Sequence, residues 1–235
     1  MPGRLIAAWA VLLGLSSGPA FAATAEDSWK LEMRRAMAAH QEGDIAETVK
    51  RLQTALPIAE GFGGADPRLG ETLLALGATY YEAGDHNAAL APLERAVPVL
   101  EEATGAHSTK LASAQNALAL VYGQLGRADD ARPLYGRAIS IYEAALGPEH
   151  PTVALVVENL AGLALMAGQY AEAEPLFARA LAIKELRYGE QSPDLIMTLQ
   201  NYALVLASLG REEEADLYDA RAAAILKRIN DTDAP

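Results

Sequence analysis

The residues of this 235-residue chain that could carry chemistry are four histidines and a scatter of neighbouring acids, with no cysteine. No two of His40, His86, His107 and His150 stand three or four apart, the spacing that offers a zinc ion two ligands from one helix face. The absence of cysteine removes thiolate nucleophiles, disulfides, Cys-based metal sites and a lipid-attachment point. Gly61, Gly63 and Gly64 imitate a phosphate loop in composition, but they follow a helical segment and lack both the preceding strand and the trailing Lys-Ser/Thr. Asp129-Asp130 and Glu212-Glu213-Glu214 stand where helices start, and the helix dipole favours acids there, so they read as solvated caps. No nucleophile, base and orienting group converge. The expectation is therefore no catalytic, cofactor-binding or metal residue, no cofactor, and no enzyme.

The elements that would position any other site are marked by glycine. Gly63, Gly84, Gly105, Gly126, Gly147, Gly168, Gly189 and Gly210 fall 21 positions apart, separated by apolar-rich segments. Such spacing predicts short helices broken by tight turns. Alternate segments resemble one another most, so the unit is a helix pair of 42 residues, with turns inside the pairs at Gly43, Gly84, Gly126, Gly168 and Gly210. Between pairs, Asp66, Ser108, His150 and Ser192 occupy the N-cap position, three of them good caps, and Pro67, Pro151 and Pro193 follow at the first helical position. Small residues recur seven positions before the turn glycine (Ala36, Gly77, Ala119, Ala161, Ala203) and twelve after it (Ala55, Ala96, Ala138, Ala180, Ala222), where helices must touch closely. Pro57 and Pro98 share one column, and an interior proline removes a helix hydrogen bond, which predicts kinks in the second helices of the first two pairs. A stack of this kind buries its core between neighbours, and one domain is expected.

The first 22 residues stand outside the repeat. Arg4, the apolar run Leu5 to Leu15 and Ala20-Phe21-Ala22 predict a secretory signal peptide cleaved after Ala22, too short in its apolar core to span a bilayer. Cleavage removes Arg4 and no acid, so the mature chain is one charge more negative than the −12 of the full sequence. That charge argues against nucleic acid and anionic lipid as partners and for a neutral-to-basic one. Export across an inner membrane, to a bacterial periplasm, is the expected destination.

Asn159-Leu160-Ala161, Gly168-Gln169-Tyr170-Ala171-Glu172-Ala173-Glu174-Pro175-Leu176, Arg179-Ala180-Leu181 and Leu146-Gly147-Pro148-Glu149-His150-Pro151 resemble the tetratricopeptide repeat, in the longer variety of kinesin light chains. The resemblance covers about residues 26 to 229. It implies an all-α fold, a right-handed superhelical solenoid of about five antiparallel helix pairs. The units run over about 26–63, 66–105, 108–147, 150–189 and 192–229, after a signal peptide at 1–22 and before a disordered tail at 230–235. It also implies that positions two, six, nine and ten before each turn glycine line a concave groove. These place Ala75, Ala78, Glu82, Asn116, Ala117, Leu120 and Gln124 there from the earlier pairs, and Glu158, Asn159, Gly162, Met166, Gln200, Asn201, Leu204 and Ser208 from the later ones. In that family an asparagine ladder bonds the main chain of an extended peptide, since a carboxamide both donates and accepts. Asn159 and Asn201 match its column, Asn116 is one position early, and Ala75 and Ala117 interrupt it. The expected function is an exported scaffold that binds a peptide segment or partner protein through Asn116, Gln124, Glu158, Asn159, Met166, Gln200, Asn201 and Leu204. Two alternatives stand beside it: a self-associating structural protein that forms a homodimer through its uncovered C-terminal helix, and an accessory subunit of an envelope enzyme or transport complex.

Overall fold

The computed structural model describes residues 24–232, and the leader expected over 1–22 lies outside them. Among the described residues there are ten α-helices and no strand. They are α1 (Ala25–Gln41), α2 (Ile45–Glu60), α3 (Pro67–Glu82), α4 (His86–Thr104), α5 (Thr109–Gln124), α6 (Ala128–Leu146), α7 (Pro151–Met166), α8 (Tyr170–Tyr188), α9 (Ile196–Ser208) and α10 (Glu212–Thr232). A 3-10 turn over Pro193–Leu195 leads into α9.

The turns are made as the glycine spacing requires. Every glycine of the series, with Gly43, has positive φ, for example 77° at Gly84 and 70° at Gly168. A Cβ built at either of these two would meet nothing within 4 Å, so glycine is there for its backbone conformation and not for space. The opposite holds inside α3. A Cβ at Gly70 would lie 2.5 Å from Leu100 Cγ, and one at Gly77 2.4 Å from Leu93 Cγ, so these glycines let α3 lie against α4.

Start signals are also as expected. The side chains of Asp66, Ser108 and Ser192 accept hydrogen bonds from the backbone N–H of Arg68, Lys110 and Asp194. His150, the residue outside the usual capping set, does the same through Nδ1, which accepts from the N–H of Thr152 at 3.2 Å.

The chain divides into two compact units, Met1–Arg127 and Ala128–Pro235. In the first unit each helix from α1 to α5 packs on its chain neighbours, and in the second the same holds from α6 to α10. Trp29 of α1 is buried and donates through Nε1 to Thr72 Oγ1 of α3 at 2.9 Å. The second unit's core gathers Phe177, Leu181, Leu195, Leu199, Tyr202 and Leu206 around Ala161, Ala173, Ala203, Ala215 and Ala222. Burying a side chain the size of Phe177 or Leu199 stabilises by about 2 kcal/mol each.

The helices α2 and α4 continue through Pro57 and Pro98, so neither proline ends its helix. Pro92, Pro133 and Pro175 are helix-interior too. The last helix extends to Thr232 and takes up Asn230 and Asp231, three residues beyond the expected end of the solenoid at 229. A repeated ion pair also joins successive second helices. Arg95 donates to Glu60 at 2.7 Å, Arg179 to Glu143, and Arg221 to Glu185 at 2.6 Å. Each arginine stands eleven residues after its turn glycine, and each glutamate 17 after the glycine of the pair before.

Candidate functional site

In the second unit α7 and α9 are in contact, and they carry the groove residues expected from the last two pairs. Met166 is 62% exposed and Leu204 54%. Gln200 is exposed, while Asn159 and Asn201 are half-buried. Gly162, between Asn159 and Met166 on α7, faces open space, since a Cβ there would meet nothing within 4 Å. Met197, 47% exposed on α9, is a further large apolar side chain on that helix, outside the four columns used to read the groove. These exposed and half-exposed side chains are all uncharged. Such a set offers apolar contact from thioether and isobutyl groups, and amide donors and acceptors for a polypeptide main chain.

Glu158 departs from the expectation. It is 7% exposed, and both carboxylate oxygens are engaged inside the fold. Lys184 Nζ of α8 donates to Oε2 at 2.5 Å, Thr198 Oγ1 of α9 donates to Oε1 at 2.5 Å, and Lys184 Nζ also donates to Thr198 Oγ1 at 2.6 Å. The three side chains form a buried network tying α7, α8 and α9 together. Glu158 is therefore an internal strut and not a groove contact. A lysine 26 positions later was the missing partner, and the column pattern gives no hint that it turns inward.

In the first unit Ala78, Tyr81, Ala117 and Leu120 line one shallow apolar depression, so the groove positions of α3 and α5 are brought together. Gln124 is exposed and bonds the Tyr81 phenol, whose pKa burial raises and the Gln124 bond partly restores. Asn116 is 7% exposed and belongs to the interior, which is the physical reason its one-position offset from the ladder matters. Glu82, another groove-column residue, faces His40, with Oε2 2.6 Å from Nε2 and both side chains about nine-tenths buried. His86 packs its ring 5.2 Å from that of Tyr81. Among the described residues no three histidines or acids are gathered as metal ligands would be.

Sequence and structure comparisons agree with this architecture. The tetratricopeptide repeat profile matches residues 29–102, 110–185 and 153–228. No curated protein sequence matches the chain. Among solved structures, BtubC (BKLC) from P. vanneervenii is 24% identical with a TM-score of 0.75, over 97% of this chain and 92% of that one. A Podosopora anserina protein of kinesin-light-chain type with nearly identical TPR-like repeats is 22% identical with a TM-score of 0.72, over 87% and 95%. MamA is 20% identical with a TM-score of 0.62, over 89% and 98%. At these identities the likeness is one of fold. The profile covers most of the chain in register with the helix pairs, and the chain belongs to the tetratricopeptide repeat family.

Proposed function

We propose that this protein is an exported interaction scaffold that binds an extended peptide segment of a partner along the uncharged face of α7 and α9. The observation that carries the proposal is the pairing of exposed apolar groups, Met166 and Leu204, with the amides Asn159, Gln200 and Asn201 on two touching helices. In the repeat fold, first helices face the groove, and main-chain recognition by carboxamides needs no particular ligand charge. The chain's net charge of −12 then favours a neutral-to-basic segment over an acidic one. Service as an accessory subunit of an envelope complex is the same reading with the partner specified.

The test is fluorescence anisotropy with a panel of unstructured peptides, neutral, basic and acidic, against the protein and its Asn201→Ala and Leu204→Asp variants. Neutral and basic peptides with apolar side chains should bind, and Leu204→Asp should weaken them about tenfold, as an unpaired charge in an apolar contact does. Equal binding of acidic peptides, or indifference to both substitutions, would sink the groove reading. Export rests on Arg4, Leu5 to Leu15 and Ala20-Phe21-Ala22. It is tested by N-terminal sequencing of protein recovered from the envelope of a bacterial host, which should begin at Ala23 and not at Met1.

A further inference from the structure

The outward face of α10 is unlike that of the other second helices. At nine, thirteen and sixteen residues after the turn glycine, α6 buries Tyr135, Ile139 and Tyr142, and α8 buries Phe177, Leu181 and Lys184. Both helices have a following helix packed on them. In α10 the same columns hold Asp219, Ala223 and Leu226, and all three are exposed, Leu226 by 40%. A helix turns 100° per residue, so Asp216, Ala220 and Lys227 share this face, and all are exposed as well. Asp216, Asp219 and Lys227 make no ion pair among the described residues, whereas Arg221, on another side of the helix, is held by Glu185.

Charge is distributed along that face in one direction. Acids occupy its N-terminal half, an alanine its centre, and a lysine its C-terminal half. A parallel pairing with an identical helix would set the acids against each other. An antiparallel pairing about a twofold axis at Ala223 sets Asp219 opposite Lys227 twice and Leu226 over Ala220 twice, with two Ala223 methyls at the closest approach. That is the self-complementary arrangement a closed dimer needs. We infer that α10 is an interface for a second copy of this chain, antiparallel, with reciprocal Asp219–Lys227 bridges. One helix pair buries a small area, so a weak dimer with Kd on the order of micromolar is the expectation. The inference is independent of the groove on α7 and α9.

The test is sedimentation velocity of the full chain over a concentration series. The unaltered protein should pass reversibly from monomer to dimer. Lys227→Asp, or Asp219→Lys, breaks two bridges and creates two repulsions, raising the dimer Kd about tenfold. The double exchange Asp219→Lys with Lys227→Asp should return it to within about threefold of the starting value, because the charges meet in trans. The two positions lie about 12 Å apart along one helix, so the rescue has no explanation within a single chain. Ala223→Glu, which sets two carboxylates on the axis, should abolish the dimer with helical circular dichroism unchanged. The groove variant Leu204→Asp should dimerise normally, and Lys227→Asp should bind peptides normally. Monomer at every concentration, failure of the double exchange to restore, or growth past the dimer into head-to-tail stacks would each overturn the inference.

Discussion

Larger residues are disfavoured at both Gly168 and Gly77, for opposite reasons, and a pair of substitutions separates them. At Gly168 the backbone is left-handed and the space beside it is empty. Asparagine visits that conformation more readily than alanine, so Gly168→Asn should cost less than Gly168→Ala, itself about 1 kcal/mol. At Gly77 the added atom meets Leu93, so Gly77→Ala should cost about 1–3 kcal/mol and Gly77→Asn more. Urea denaturation of the four variants reads this crossed ranking, and the same order at both sites would refute the assignment. Both roles were legible in the sequence, because one glycine belongs to the turn series and the other to the column of small contacts. The fate of Asn116 and Glu158 was not. Column position reports which way a helix residue points on average, and it is silent about a neighbour rising to meet it.

Between helices the second unit is held by two kinds of polar link. The Arg179–Glu143 and Arg221–Glu185 pairs are solvent-accessible, so each contributes at most about 1 kcal/mol. The Glu158–Lys184–Thr198 network is buried, and its ions have exchanged water for one another. Removing one ion leaves the other buried without that counter-charge. Lys184→Met should therefore destabilise by about 3–5 kcal/mol, while Lys184→Met combined with Glu158→Leu should recover most of that loss, since an apolar replacement leaves no unpaired charge. Chemical denaturation of the single and double variants checks this, and a double variant no better than the single would show that the network does more than satisfy itself. Helix positions, turns and caps were read correctly from periodicity, because each depends on residues within a few positions of one another. The ladder of arginine and glutamate was also present in the sequence, as two regular columns, but which of them pair depends on how successive helix pairs stack. The buried network joins residues 26 and 40 positions apart, and only packing reveals it.

At the scale of the molecule, 31 acids against 19 lysines and arginines set how stability responds to pH. Hydrogen bonds from Arg68 to Asp66, from Lys50 and Arg51 to Glu47, and from Arg211 to Glu214 hold these carboxyls below their ordinary values of 3.8, 4.5 and 4.5. A carboxyl whose folded pKa is depressed binds fewer protons folded than unfolded. Its contribution is thus complete above the ordinary value and disappears as pH falls through the folded one. Burial raises the phenols of Tyr81 and Tyr202 above their ordinary 10.0, and these act on the other limb. They favour the folded chain until pH passes the unfolded value, beyond which the unfolded chain loses its phenolic protons first and gains. Thermal unfolding should therefore be nearly flat from about pH 5 to 9, fall below about 4 and fall again above about 10. Calorimetry across that range in constant ionic strength tests both limbs. Asp66→Asn should lower the melting temperature at pH 7, and by less at a pH below the depressed value of the Asp66 carboxyl, where the carboxylate is protonated and its charged bonds to Arg68 are lost. An equal effect at both values would mean that Asp66 acts through its shape as a helix cap and not through its charge.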